Sequence, residues 1–263
     1  MLGIPWDEHS SYRRGCAGAP ARIREVMAAG ASNLCAENGI DLESRLDFFD
    51  AGDLSLAAGD EALAQIERSV MALAAKGVYP LCLGGDHAVT YPVVKALSAV
   101  YPRLTILHFD AHPDLYDEYE GDRYSHACPF ARIMEAGLVE RLVQVGIRTL
   151  NPHQRAQAER FGVEIITMQD WQTGKRPAGL ARCYLSLDLD VLDPAFAPGV
   201  SHHEPGGMTV REVLGIIQGL PGKLIGADIV EYNPDRDPTG VTGAVAVKYG
   251  KEIASVLLSK PLG

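Results

Sequence analysis

The 263-residue chain places carboxylates and imidazoles at three points where apolar runs stop. Leu107-His108-Phe109 gives way to Asp110-Ala111-His112-Pro113-Asp114, and Leu185-Ser186-Leu187 to Asp188-Leu189-Asp190. Leu81-Cys82-Leu83 runs into Gly84-Gly85-Asp86-His87. Residues two apart in extended chain share a side, so each group projects together. Carboxylates gathered at one rim repel, and each desolvated one is costly. A bound cation removes both penalties. His87, Asp110, His112, Asp114, Asp188 and Asp190 are more ligands than one tetrahedral ion needs, and two cations bridged by shared carboxylates use them all. Oxygen-rich, thiolate-free ligation favours Mn²⁺ over Zn²⁺, while imidazole argues against Mg²⁺ or Ca²⁺. The residues therefore predict a binuclear centre holding two Mn²⁺ ions. A lone D-x-D often marks a turn or a helix cap. D-A-H-x-D together with G-G-D-H and S-x-D-x-D-x-x-D-P is not explained that way.

These groups need a scaffold that delivers strand ends to one rim. Short apolar runs alternate with helix-like stretches, the pattern of βαβ units. Strands are expected at Val78 to Leu83, Leu104 to Phe109, Leu142 to Ile147, Val163 to Ile166, Tyr184 to Leu189 and Leu224 to Val230. Met1 to Ile4 and Leu46 to Phe49 are further candidates. Pro80 weakens the first of these, because proline donates no ladder hydrogen bond. Helical periodicity covers Ala21 to Met27, Glu61 to Lys76, Val89 to Val100, Asn151 to Phe161, Thr209 to Gly219 and Gly240 to Leu258. Continuous apolar strands imply a parallel sheet covered on both faces, whose ligands bind beyond the carboxyl ends of its strands. No linker or repeat divides the chain, so residues 1–263 read as a single α/β domain.

Composition narrows the function. Lys plus Arg number 24 against 34 Asp plus Glu, a net charge of −10 with no basic stripe, which excludes an ordinary nucleic-acid binder and suits a cationic small substrate. No apolar run approaches the ~18–20 residues of a membrane helix. Met1 to Asp7 shows no secretory-leader pattern. Five scattered cysteines form neither a zinc knuckle nor a disulfide framework. A reduced, cytoplasmic protein without membrane or nucleic-acid partners is expected.

The motif set resembles the ureohydrolase superfamily of arginases and agmatinases along nearly the whole chain. The likeness runs through Gly3-Ile4-Pro5, Gly15 to Glu25, Gly84 to His87, Asp110 to Asp114, Ser186 to Pro194, Ala197-Pro198-Gly199, Glu204 to Gly207 and Gly226 to Pro234. Asp117 to Glu135 is similar to the plant-type, agmatinase-like arginases. The resemblance implies a three-layer α/β/α sandwich on a parallel sheet of about eight strands, assembled as a homotrimer or homohexamer. It implies that His87 and Asp114 hold one manganese, His112 and Asp190 the other, with Asp110 and Asp188 bridging. A hydroxide between two Mn²⁺ ions is nucleophilic near neutral pH and attacks an otherwise poor electrophile, the guanidinium carbon, to release urea and an amine. Protonating the leaving nitrogen needs a group titrating near neutrality. His126 matches the family's proton shuttle and Glu231 its guanidinium anchor.

Substrate choice is less legible. Asn151 stands roughly where animal arginases place an acidic residue against the substrate's α-amino group. His202 occupies a position where plant-type arginases also carry histidine, and His203 follows it. Whole-chain likeness leans to L-arginine; net charge and loop chemistry suit agmatine. Guanidinobutyrase or formimidoglutamase activity would need a basic residue at the mouth, with Arg123 and Arg148 as candidates. A metal-binding subunit without activity is the reading from another class. His108 reads as a buried group satisfied inside the core or supporting the metal ligands, Asp86 and Asp193 as caps or turn formers, and the cysteines as small buried hydrophobes.

Overall fold

All but one of the apolar runs that the sequence shows become strands of a single parallel sheet in the computed structural model, which describes residues 1–259. The strands are β1 (Leu2–Gly3), β2 (Leu81–Leu83), β3 (Thr105–Phe109), β4 (Arg141–Ile147), β5 (Glu164–Thr167), β6 (Arg182–Asp188) and β7 (Lys223–Val230). Their order across the sheet is β1-β2-β7-β6-β3-β4-β5, and every neighbouring pair is parallel.

Helices cover both faces: α1 (Ala19–Ala28), α2 (Glu61–Ala74), α3 (Thr90–Val100), α4 (Pro129–Glu135), α5 (Pro152–Phe161), α6 (Met168–Gln172), α7 (Val210–Gln218) and α8 (Val241–Ser259). Alternation along the strands divides the core. Leu81, Leu107, Leu185 and Ile229 pack with residues of α1, α7 and α8 on one face. Cys82, Ile106, Tyr184 and Ile225 pack with α2, α3 and α4 on the other. The result is the expected three-layer sandwich.

Seven strands stand among the described residues, one fewer than about eight. Leu46 to Phe49 forms no strand: Leu46 is fully exposed and Phe49 half exposed. An apolar pair alone does not make a strand when no sheet edge receives it. Pro80 does precede β2, and it serves the ladder only as an acceptor, its carbonyl taking the Ala227 amide at 2.9 Å. Short α4 and α6 carry too few turns to show helical periodicity. Cys35 is exposed, whereas Cys16, Cys82, Cys128 and Cys183 are buried as expected.

Candidate metal centre and substrate pocket

Four adjacent strands, β2-β7-β6-β3, aim their carboxyl ends at one rim, and the chemistry-bearing residues follow immediately. After β3, the buried Asp110 ties its amide to the Val145 carbonyl at 3.1 Å, and Asp114 turns in the left-handed region (φ +51°). After β6, Asp188 accepts the Asp190 amide at 2.7 Å and folds Asp190 back to the same rim, where it takes the Ala111 amide at 3.1 Å. After β2, Gly85 presses against Trp6 so closely that a Cβ would lie 1.7 Å from the Trp6 carbonyl oxygen; only glycine lets the chain deliver His87 here. After β7, Glu231 takes a left-handed turn (φ +62°), strain of the kind concentrated at functional sites.

Asp110 stands between two imidazoles. Its Oδ2 lies 3.2 Å from His87 Nδ1 and its Oδ1 3.3 Å from His112 Nδ1. Around His87 Nδ1 also lie Asp114 Oδ2 at 3.0 Å and Asp188 Oδ2 at 3.2 Å; His112 Nδ1 meets Asp190 Oδ2 at 3.0 Å. The hydrogen-bond network settles that His87 Nε2 carries a proton. Ser186 Oγ gives its proton to Asp228 Oδ1 at 2.8 Å, so it accepts from His87 Nε2–H at 2.9 Å. His87 Nδ1 is then the nitrogen left facing three carboxylate oxygens without a hydrogen bond, open to a proton or a metal ion, and against burial those carboxylates push the His87 pKa well above its ordinary value. Only positive charge among them relieves that repulsion. Without a metal, burial and neighbouring carboxylates push Asp188 well above the usual carboxylate range and Asp190 up to about 6. Oxygen and imidazole donors on a fixed rim fit divalent cations.

Beneath the carboxylates a polar row crosses the sheet. Strand register sets Asp228 beside Ser186, Ser186 beside His108, and His108 beside Gln144. Gln144 Nε2 must donate to the Pro113 carbonyl at 2.6 Å; the same nitrogen faces His108 Nδ1 at 3.0 Å. His108 Nδ1 therefore accepts, and its Nε2–H donates to Asp110 Oδ2 at 2.9 Å. Burial holds the His108 imidazole below its ordinary pKa, in keeping with a neutral ring.

Across the rim, His126 Nδ1 lies 2.8 Å from Glu231 Oε1, which also accepts the His87 amide at 2.9 Å. Ser11 Oγ lies 2.8 Å from His126 Nε2, and the Cys16 thiol donates to Glu231 Oε2 at 3.6 Å. The His202 ring stands 5.3 Å from that of His126 and 5.9 Å from that of His112, capping the space between them. Asn151 caps α5 through the Gln154 amide at 2.9 Å and donates to the Tyr116 hydroxyl at 2.6 Å, so both of its polar atoms are engaged. His203 is bound to the Pro198 carbonyl at 2.7 Å. Asp86 and Asp193 accept the Ala88 and Ala195 amides and form the local caps expected of them.

Comparison with known proteins gives the family. A family described as the arginase family matches residues 1–255. The chain belongs to the arginase family. The mitochondrial arginase of Medicago truncatula is 43% identical over 272 residues, covering 97% of this chain and 80% of that protein. The agmatinase of Bacillus anthracis is 36% identical over 261 residues, covering 96% and 89%. The solved arginase structure from Medicago truncatula superposes with a TM-score of 0.91 at 41% identity, covering 97% of this chain and 86% of that one. Members of the arginase family are metal-dependent hydrolases of carbon–nitrogen bonds in linear amidines, and this chain is such an enzyme. No helix among the described residues is long and apolar enough to cross a membrane.

Several contacting residues carry no sequence signal. Ser11 reaches the site from a loop outside every motif, and Cys16, within the Gly15 to Glu25 stretch, reads only as a small buried hydrophobe. Gln144 sits within an apolar strand and reads as an isolated polar residue, and Asp228, though inside the Gly226 to Pro234 motif, has no role until the register aligns them.

Proposed function

We propose that the protein hydrolyses a guanidino substrate to urea and an amine, with L-arginine as substrate and ornithine as the amine. Asp110 held between His87 and His112, with Glu231 and His126 facing them, is the arrangement that carries this reading. His87 and Asp114 would hold one divalent cation and His112 and Asp190 a second, with Asp110 and Asp188 shared between them and Mn²⁺ preferred by the donor set. Bound there, the cations acidify water for attack near neutral pH.

The chain's own residues do the rest. Glu231 supplies the buried negative charge that a planar guanidinium pairs with, aligning its carbon at the rim. His126, hydrogen-bonded to Glu231, holds a proton at Nδ1 and can carry one to the departing nitrogen, so that the C–N bond breaks to a neutral amine. His202 closes the pocket from the mouth side. Substrate contact by Asn151 requires it to exchange its bond to Tyr116.

Agmatine is the second reading. It carries the same guanidinium, it suits the acidic chain, and the 36% identity to a named agmatinase supports it. The 43% identity to a named arginase favours arginine. A metal-binding subunit without activity leaves the His126–Glu231 pair without a purpose. The deciding experiment is urea release from arginine, agmatine and guanidinobutyrate by the Mn²⁺-loaded protein. Arginine should give the highest kcat/KM; no urea from any of the three would overturn the proposal.

A further inference from the structure

Arginine and agmatine differ only in the α-carboxylate, so a protein that distinguishes them needs polar groups at the mouth, and a cation there favours the carboxylate most. Arg148 and Arg123 are the sequence candidates, and the structure commits both elsewhere. The Arg148 guanidinium is surrounded by backbone carbonyls, those of Glu204, Asp190, Val191, Leu192 and Gly146 among them. Arg123 is neutralised by Asp117 and Glu135. Arg13 remains.

Residues 10–15 form an arm across the site, and the site itself holds the arm's backbone. Ser10 Oγ donates to Asp86 at 3.1 Å, and Ser11 Oγ meets His126 Nε2 at 2.8 Å. Ser201 Oγ donates to the Arg13 carbonyl at 3.0 Å, and Asn233 Nδ2 to the Arg14 carbonyl at 3.1 Å. With the backbone fixed, the exposed side chains of Tyr12 and Arg13 stand over the mouth. A ladder of rings leads there from the reaction centre. The His126 ring is 5.3 Å from that of His202, the His202 ring 5.4 Å from that of Tyr12, and Arg13 Cζ lies 5.1 Å from the Tyr12 ring centre. Among the described residues the Arg13 guanidinium has no hydrogen-bond acceptor and no carboxylate partner. In a chain of net charge −10 it is an unpaired cation at the open end of an acidic pocket.

We propose that Arg13 reads the substrate's α-carboxylate and so selects guanidino acids over guanidino amines. The assignment rests on the hydrolase reading above. A substrate with its guanidinium at Glu231 extends outward past His202, and its far end arrives beside Tyr12 and Arg13. There a carboxylate gains a charge-assisted hydrogen bond, whereas the distal ammonium of agmatine meets a like charge. Little entropy is lost in forming the contact, because the arm is already held in place.

The test is the kinetics of Mn²⁺-loaded parent, Arg13→Gln and Arg13→Lys on arginine and agmatine. Arg13→Gln should raise the arginine KM about two- to fivefold, as expected for a partly exposed ion pair, with kcat within about twofold. The agmatine KM should hold or fall. Arg13→Lys, which keeps the charge, should recover part of the arginine KM. An unchanged arginine KM, an equal rise on both substrates, or a parent that turns over agmatine alone overturns the assignment to Arg13. A parent that releases urea from neither compound overturns the hydrolase reading itself, so the two failures are distinct.

Discussion

His126 and Glu231, 105 positions apart, form one hydrogen-bonded ion pair, Nδ1 to Oε1 at 2.8 Å, buried at the metal rim. Burial alone would pull the imidazole pKa down; the Glu231 charge and hydrogen bond outweigh it and push it up to about 9. Burial would likewise raise Glu231, yet His126 holds it down at about 2. The raised His126 contributes stability that is full below its ordinary 6.5 and is lost as pH climbs through about 9. The depressed Glu231 contributes stability present above its ordinary 4.5 and lost as pH falls through about 2. Metal-free protein should therefore show its largest melting advantage over His126→Gln between pH 4.5 and 6.5. That advantage should shrink steadily toward pH 9. Thermal scans of both proteins across this range check it, and an advantage that grows above pH 6.5 contradicts the pairing.

The same pair predicts what a neutral isostere does to turnover. Glu231→Gln keeps the shape and removes the charge that faces a guanidinium. The loss should be a few kcal/mol in kcat/KM, because one partner of a buried charge pair is deleted. Arginine and agmatine share the guanidinium, so both should suffer alike while bound manganese, counted by elemental analysis, stays at the parent level. A loss on one substrate alone would place Glu231 at the other end of the molecule.

Asp110 touches both imidazole groups, one with each oxygen, and no other carboxylate at the rim is seen to do so. Asp110→Asn should therefore reduce manganese below two ions per chain, whereas His126→Ala should keep the parent content and lose rate by about 10²–10⁴-fold. Chelation of the parent should lower its melting temperature, and added Mn²⁺ should restore it, since an ion bound only by the folded state stabilises by mass action. Metal loss in His126→Ala would move that residue into the coordination set.

The parts of the site that could be read in the sequence are those encoded by local spacing. Asp110, His112 and Asp114, like Asp188 and Asp190, were legible because each set follows an apolar run, but the expected two-residue alternation is not what gathers them: β3 ends at Phe109, Asp114 turns in the left-handed region and Asp190 lies in the 3-10 turn Leu189–Val191. The sheet was legible for a similar reason, since β3 is buried at every residue and reads as one apolar run. Leu46 to Phe49 misled because apolar content does not reveal whether a neighbouring strand exists to pair with it. Asn151 marks α5 as its cap, yet the same side chain that looked free for substrate is engaged by Tyr116. Arg123 and Arg148 looked available for the same reason: their carboxylate and carbonyl partners come from other segments. The Arg13 arm and the ion pair of His126 and Glu231 join segments distant in sequence, and no local pattern announces such contacts.

The polar row under the rim gives the last prediction. His108 sits between Ser186 and Gln144 in strand register, and the amide of Gln144, fixed by the Pro113 carbonyl, leaves His108 one possible tautomer. Its Nε2–H can then only donate to Asp110 Oδ2, the Asp110 oxygen that faces His87 Nδ1. A carboxylate steered in this way presents its free lone pairs to a cation instead of rotating away. Partners that orient metal ligands are worth about 10–100-fold in metal affinity. His108→Phe, which removes the donor and keeps an aromatic ring in the core, should weaken Mn²⁺ binding by that factor. His108→Gln, which can still offer an N–H to Asp110, should recover part of the affinity. Calorimetric Mn²⁺ titration of the metal-free proteins measures this without reference to turnover, and circular dichroism checks that the sheet is intact. If His108 only fills space, Phe and Gln variants with intact folds should bind manganese as the parent does, and the steering role of the row would be lost.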